Sequence, residues 1–137
     1  MDNLYRDFIL EHYRAPHNKG VLDPHHLHFA DSNPTCGDEM SMTLLLDPSK
    51  AAIADVAFDG RGCAISQASA SILTDGLRGQ TLDEVKEMNP KDLLDELGVP
   101  IGPARLKCAL LAYKVLQGAV RGGEVAWPAE AEEEAVG

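Results

Sequence analysis

Leu4, Phe8 and Ile9, with the ring of Tyr5, recur at helical spacing at the start of the chain. That pattern predicts a helix capped by Asp2, running to about Arg14 and stopped by Pro16. Residues 15–24 hold two prolines, a glycine and an asparagine and read as a loop. Residues 26–30 read as a short edge strand. Residues 40–47 alternate and then turn wholly apolar, which predicts a second strand. Asp47-Pro48-Ser49-Lys50 is a turn, and residues 53–59 form a third strand with Ile53, Asp55 and Ala57 set against Ala54, Val56 and Phe58. Two strands joined by so short a turn make an antiparallel hairpin.

The pattern changes after Gly62. Ile65, Ala68 and Ile72 fall on one helical stripe among small residues that allow close packing on a sheet, and Gly76 and Gly79 mark the end. Thr81 with Glu84 forms a capping box for a short helix over residues 82–88. Residues 90–97 make another, closed by Gly98. Pro103 starts the last helix, whose core stripe is Leu106, Ala109, Leu110, Tyr113, Leu116 and Val120, with Gly122-Gly123 as the stop. Strands early and helices late predict an α+β fold: a small antiparallel three-stranded sheet packed on one face by helices, with an N-terminal helix and a long C-terminal helix.

The length of 137 residues fits one domain with a core of its own. Lys and Arg total 12 against 22 Asp and Glu, a net charge of −10, which argues against binding a nucleic-acid backbone. Glu130, Glu132, Glu133 and Glu134 carry four of those charges within an acidic segment, 128–137, that reads as a solvated, mobile tail after a domain spanning 1–127. No apolar run reaches membrane-spanning length, and the charged first residues lack a signal-peptide core, so the expected location is cytoplasmic, with no membrane partner.

The candidate chemistry lies in three thiols, Cys36, Cys63 and Cys108. Cys36 and Asp38 flank Gly37 in a turn after Pro34, and a glycine torsion there would turn both side chains toward one ion. Cys63 follows a strand and is placed in the first turn of the next helix, where unpaired amides favour a thiolate. Cys108 lies off the core stripe of the last helix, on a different surface with Ala112 and Val115. Any one of these could be a small buried hydrophobe, and Asp38 a turn residue bonding its own backbone. Together, three thiolates and one carboxylate suit tetrahedral Zn²⁺ or a [2Fe–2S] cluster. The same residues also accommodate a cysteine-nucleophile hydrolase, which needs a histidine base, or a zinc-stabilised interaction domain without sulfur chemistry. His25, His26 and His28 are an auxiliary metal site or, more simply, solvated edge-strand residues. His12 and His17 read as surface residues.

Asn33-Pro34-Thr35-Cys36-Gly37-Asp38, Gly62-Cys63-Ala64-Ile65-Ser66 and Lys107-Cys108-Ala109-Leu110-Leu111-Ala112, in that order, resemble the U-type iron–sulfur cluster assembly scaffolds, the IscU/SufU/NifU N-terminal family. His12-Tyr13-Arg14-Ala15-Pro16 and the residues after it are similar to that family's exit from its first helix. The likeness extends from Tyr5 to about Val120. It implies a carrier or scaffold that takes persulfide sulfur from a cysteine desulfurase of the SufS/IscS kind and assembles or relays it for iron–sulfur acceptor proteins. The implied ligands of zinc or a labile cluster are Cys36, Asp38, Cys63 and Cys108, with Cys36 or Cys108 taking the sulfur. Arg105 and Lys107 are placed beside the thiols to stabilise their charge, with solvated helix cations as the plainer reading. Lys107, where IscU-type members have histidine, makes this region SufU-like, whereas the usual SufU insertion between the second and third cysteines is missing.

Overall fold

The structure, a computed structural model, describes residues 3–128. The expected Asp2 cap and the acidic segment from residue 129 onward lie outside the described residues. In chain order the elements are α1 (Asn3–Arg14), β1 (Leu27–Asn33), β2 (Asp38–Leu46), β3 (Ile53–Arg61), α2 (Ala64–Asp75), α3 (Leu82–Lys86), α4 (Pro90–Leu97), a 3₁₀ turn (Pro103–Arg105) and α5 (Leu106–Arg121). The fold is α+β, and the three strands form one antiparallel sheet in the order β1-β2-β3.

Register explains the two faces of that sheet. Phe29 stands opposite Met42 and Met42 opposite Phe58, while Leu27, Leu44 and Val56 line up in the next row. Side chains alternate along a strand, so these residues share one face. That face is covered by α5, which crosses β1 and β2, and by α2, which packs on β3. Met42, Leu44, Val56 and Phe58 are fully buried there, within a cluster that also takes in Ile72, Leu73, Leu111, Val115 and Leu116. On the opposite face His28, Ala30, Ser32, Glu39 and Asp59 are exposed. The segment around Lys19 runs beside β3, exchanging backbone hydrogen bonds with Phe58 (Phe58 N to Asn18 O 2.9 Å, Gly20 N to Phe58 O 2.7 Å).

One strand departs from the simple alternation. Leu45 pairs with Asp55 and Leu46 with Ile53, so Ala54 is an extra residue in a bulge. The bulge turns Ile53 to the side of Val56 and Phe58, contrary to the alternation predicted from sequence, and Ile53 is buried.

Helix ends follow their local chemistry. Thr81 and Glu84 close a complete capping box on α3 (Glu84 N to Thr81 Oγ1 3.0 Å, Thr81 N to Glu84 Oε1 2.8 Å). Asn89 caps α4, whose first residue is Pro90, and Gly98 ends it in the left-handed conformation at φ 71°. Gly122 does the same for α5 at φ 81°. Gly118 serves packing instead: a Cβ there would lie 2.4 Å from the Phe29 ring, so its bare backbone is what lets α5 settle on β1. Small residues do the same for α2, which is buried without interruption from Ser66 to Thr74 between α1, α5 and β3.

Candidate metal and sulfur site

Asn33 ends β1 and Asp38 begins β2, and the two are partners across the sheet. The four residues between them form the hairpin loop, closed by Cys36 N–H and Gly37 N–H donating to the Asn33 carbonyl at 3.2 and 2.9 Å. Gly37 sits at φ 75°, the left-handed region that glycine enters without steric cost. Asp38 is therefore a strand residue rather than part of the turn. Its register puts it, with Asn33, at the end of the helix-facing surface, and both are 1% exposed.

Across from this pair lies Cys108, in the first turn of α5. Its Sγ is 3.1 Å from Cys36 Sγ and accepts a long bond from Asn33 Nδ2 at 3.8 Å. One ligand atom each from Cys36, Asp38 and Cys108 lies within 4.8 Å of the other two. The face of α5 that carries Cys108, expected to lie away from the core stripe, is itself part of the core, since Ala112 and Val115 belong to the main buried cluster. Cys108 is fully buried, and so are Ala112 and Val115, because the sheet lies on one side of α5 and α2, α3 and α4 on others. Cys36 is exposed on its loop.

Cys63 is the N-cap of α2 rather than a residue of its first turn. Its backbone N–H donates to Asp38 Oδ1 at 3.0 Å, tying the helix start to the carboxylate. Its sulfur, half-buried, is not among the mutually close ligand atoms. Gly62 makes the approach possible, since a Cβ there would lie 2.5 Å from Asp38 Oδ1 and 2.5 Å from Ser66 Oγ. The other carboxylate oxygen, Asp38 Oδ2, is buried and has no hydrogen-bond partner among the described residues. A buried carboxylate oxygen left unpaired costs free energy unless a cation or proton meets it.

The electrostatics are lopsided. Burial, reinforced by the bond to Cys36, by the nearby Asp38 carboxylate and by the charge of Cys63, pushes the Cys108 thiol far above the ordinary cysteine value. Without a cation this sulfur keeps its proton. A divalent ion among the donors reverses that preference, because its charge favours the thiolate. An orphaned carboxylate oxygen beside two close sulfurs is thus a donor set that fits Zn²⁺ or iron.

The two flanking cations differ in their surroundings. Arg105 is exposed at the end of the 3₁₀ turn. The Lys107 ammonium lies 5.3 Å from the centre of the Trp127 ring, at the edge of a cavity of about 380 Å³ that Asn33, Thr35, Pro103 and Ala104 also line. Asn33 is the site residue that sequence reasoning missed. It was visible only as part of a turn motif, and its inward orientation comes from register.

The histidines are also redistributed. His26 Nδ1 accepts from Leu46 N–H at 2.9 Å and His25 Nδ1 sits 2.9 Å from the Leu22 carbonyl, so neither joins a metal-type group with His28 among the described residues. His12, expected at the surface, is buried against Ser71 of α2 at 2.7 Å. Among the described residues no histidine hydrogen-bonds a cysteine; the histidine bonds run instead to Ser71, Asp75, Leu22 and Leu46. No helix of the described chain is long and apolar enough to cross a membrane.

Comparison with known proteins adds independent information. The model of the NifU-like N-terminal domain matches residues 4–123. The zinc-dependent sulfurtransferase SufU of Bacillus subtilis is 37% identical over 134 residues, covering 85% of this chain and 89% of that protein. The iron–sulfur cluster assembly scaffold protein IscU of Streptococcus pyogenes is 34% identical over 140 residues, covering 88% and 85%. Among solved structures, a candidate iron–sulfur cluster assembly scaffold for the SUF system from Fervidobacterium islandicum superposes with a TM-score of 0.71 at 29% identity, over 83% of this chain and 94% of that one.

Proposed function

This chain belongs to the NifU-like N-terminal domain family, the family of the iron–sulfur cluster assembly scaffolds, and from that membership we propose that it is a sulfur acceptor of the SufU kind. Its donor is a cysteine desulfurase and its clients are iron–sulfur acceptor proteins, with residues 1–127 as the working unit. The single observation that carries the reading is the unequal exposure of two sulfurs 3.1 Å apart, Cys36 at the surface and Cys108 fully buried.

Cys36, Asp38 and Cys108 would hold Zn²⁺, with Cys63 as the fourth donor brought in from the start of α2. Bound there, the ion keeps the thiols ionised and protected from oxidation. The step itself belongs to the chain. The Cys36 thiolate attacks the outer sulfur of the desulfurase persulfide, forming a new S–S bond at Cys36. The old S–S bond breaks, its electron pair leaves on the desulfurase cysteine as thiolate, and the proton of the transferred sulfur travels with it. The Gly37 hinge and the exposed loop give Cys36 the freedom to reach a partner. Cys108, fully buried and out of contact with solvent, lacks that freedom and would act as an anchoring thiolate donor once the ion is bound. Asp38 is a hard oxygen among soft sulfurs, so its bond to a [2Fe–2S] unit, as cargo, would be the weakest of the set although the carboxylate itself stays in place. Lys107, which lines a cavity with Thr35 of the loop, and the exposed Arg105 two residues before it would favour an incoming anionic persulfide.

Transfer of radiolabelled sulfur from a desulfurase to the wild type and to Cys36→Ser and Cys108→Ser variants tests this. Label is expected on the wild type and on Cys108→Ser and absent from Cys36→Ser. Undiminished labelling of Cys36→Ser would overturn the assignment.

A further inference from the structure

We propose that His12, His17 and Asp75 form a second cation site, separate from the cysteines, for a first-row divalent ion such as Zn²⁺ or Fe²⁺. One ligand atom from each lies within 4.8 Å of the other two. They come from α1, the loop after it and the last residue of α2. The cysteine group is at the other end of α2, and twelve residues of helix put about 18 Å between Cys63 and Asp75.

The surroundings orient the donors. A single hydroxyl, Ser71 Oγ, contacts His12 Nδ1 at 2.7 Å and accepts the His17 backbone N–H at 2.8 Å. That occupies one ring nitrogen of His12 and leaves Nε2 without a hydrogen bond among the described residues. Asp75 is held by Asn18 Nδ2, which donates to its Oδ1 at 3.0 Å and to Thr74 Oγ1 at 3.0 Å. Outer-shell bonds of this kind fix the direction of imidazole and carboxylate ligands. The His12 and His17 rings stand 4.6 Å apart, centre to centre, and His17 Nδ1 lies 2.6 Å from Asp75 Oδ2. Ligands on one ion stand roughly 3 Å or more apart, so this last contact must open slightly. Both side chains are exposed and can shift.

The adjoining cavity points to a cation. It measures about 410 Å³, and its ionisable lining is His12, Asp75, Asp92 and Glu96, with no lysine or arginine. Its space can supply the water that completes an open coordination sphere. Two imidazoles and one carboxylate are borderline and hard donors with no sulfur, which selects a first-row divalent ion over a thiophilic one and makes the site chemically distinct from the cysteine group.

Titration of the reduced full-length protein with Co²⁺, followed by visible absorption, separates the sites by colour. Cobalt at the cysteines brings thiolate-to-metal charge transfer, and cobalt on nitrogen and oxygen brings ligand-field bands alone. The wild type is expected to take two equivalents, only one of them with charge transfer. His12 is buried, so the exposed positions are substituted: His17→Gln and Asp75→Asn should each weaken the equivalent lacking charge transfer by at least about ten-fold and leave the other intact. One equivalent in the wild type, a second with thiolate charge transfer, or unchanged affinity in both variants would overturn the proposal. None of these readouts depends on sulfur transfer.

Discussion

Gly62→Ala places a methyl group where Asp38 needs room. Gly62 has ordinary backbone torsions, so the substitution brings no left-handed strain, but its Cβ would stand 2.5 Å from Asp38 Oδ1 and 2.5 Å from Ser66 Oγ. The serine hydroxyl can rotate aside. The carboxylate cannot swing out to water, being 1% exposed at the head of β2. It must move off the Cys63 N–H, a 3.0 Å bond to a charged acceptor that contributes about 1.5–3 kcal/mol. Alanine returns about 0.4–1 kcal/mol by restricting the unfolded chain. The metal-free variant should therefore lose about 1–2 kcal/mol, lowering its urea midpoint by roughly 0.5–1 M. Displacing Asp38 should also weaken zinc binding by about 10–100-fold, the range for loss of a supporting contact around a metal ligand. Gly102→Ala is the control, because a Cβ there meets nothing within 4 Å. Urea unfolding of both variants, metal-free, and zinc titration against a competing chelator give the two numbers. If Gly62→Ala matched Gly102→Ala in stability and wild type in zinc affinity, the Cys63 N–H would not be what positions Asp38.

Gly118→Ala gains about 1 kcal/mol of helix propensity but drives a methyl into the Phe29 ring, an overpacking cost of about 1–3 kcal/mol. Thermal unfolding should show net destabilisation that disappears in a Phe29→Ala background, and persistence of the loss there would refute the clash. Lys114 tests the electrostatics where α5 meets β1. Burial acts to lower its pKa, but bonds to Asp31 and to Glu124 outweigh that and hold it above the ordinary 10.5. A lysine raised on folding contributes stability that is complete below its unfolded value and is lost as pH rises through the folded one. Unfolding free energy of the wild type should thus fall above pH 10.5, and that slope should be shallower in Lys114→Met. Equal slopes would remove Lys114 from the account.

What the chain reveals about itself tracks how local the determinant is. The capping box at Thr81 and Glu84, the Pro90 start and Gly98 end of α4, and the Gly122 end of α5 are decided within a few residues, and each stands where the pattern placed it. Asp38 is different. In the motif it reads as a turn residue beside Cys36, and only pairing with Asn33 makes it the first residue of β2. Ala54 looks like one more step of an alternation, and only the partner strand shows it as the bulge that brings Ile53 inward. His12 carries no sign of burial because its cover, α2, comes some sixty residues later. Four candidate donors of two types, three thiols and one carboxylate, were legible from chemistry alone, whereas their distances and exposures are properties of register and packing.

Those exposures change what the cysteine set can do. Four equivalent thiolate-rich donors would describe a closed structural zinc site, where every ligand stays in place. Here the donors are graded. Cys108 is immobilised in α5 between sheet and helices, Asp38 is held at the head of β2 by the start of α2, and Cys63 is joined to them through its backbone. Cys36 alone rides on an exposed loop with a left-handed glycine next to it. A donor that leaves must be able to move without unfolding the rest, and a donor that stays must be fixed by something other than the ion. The hairpin loop satisfies the first condition and the buried pair Asn33 and Asp38 satisfies the second. On the proposed function, this grading would let one sulfur leave to meet a partner while the remaining donors keep their places.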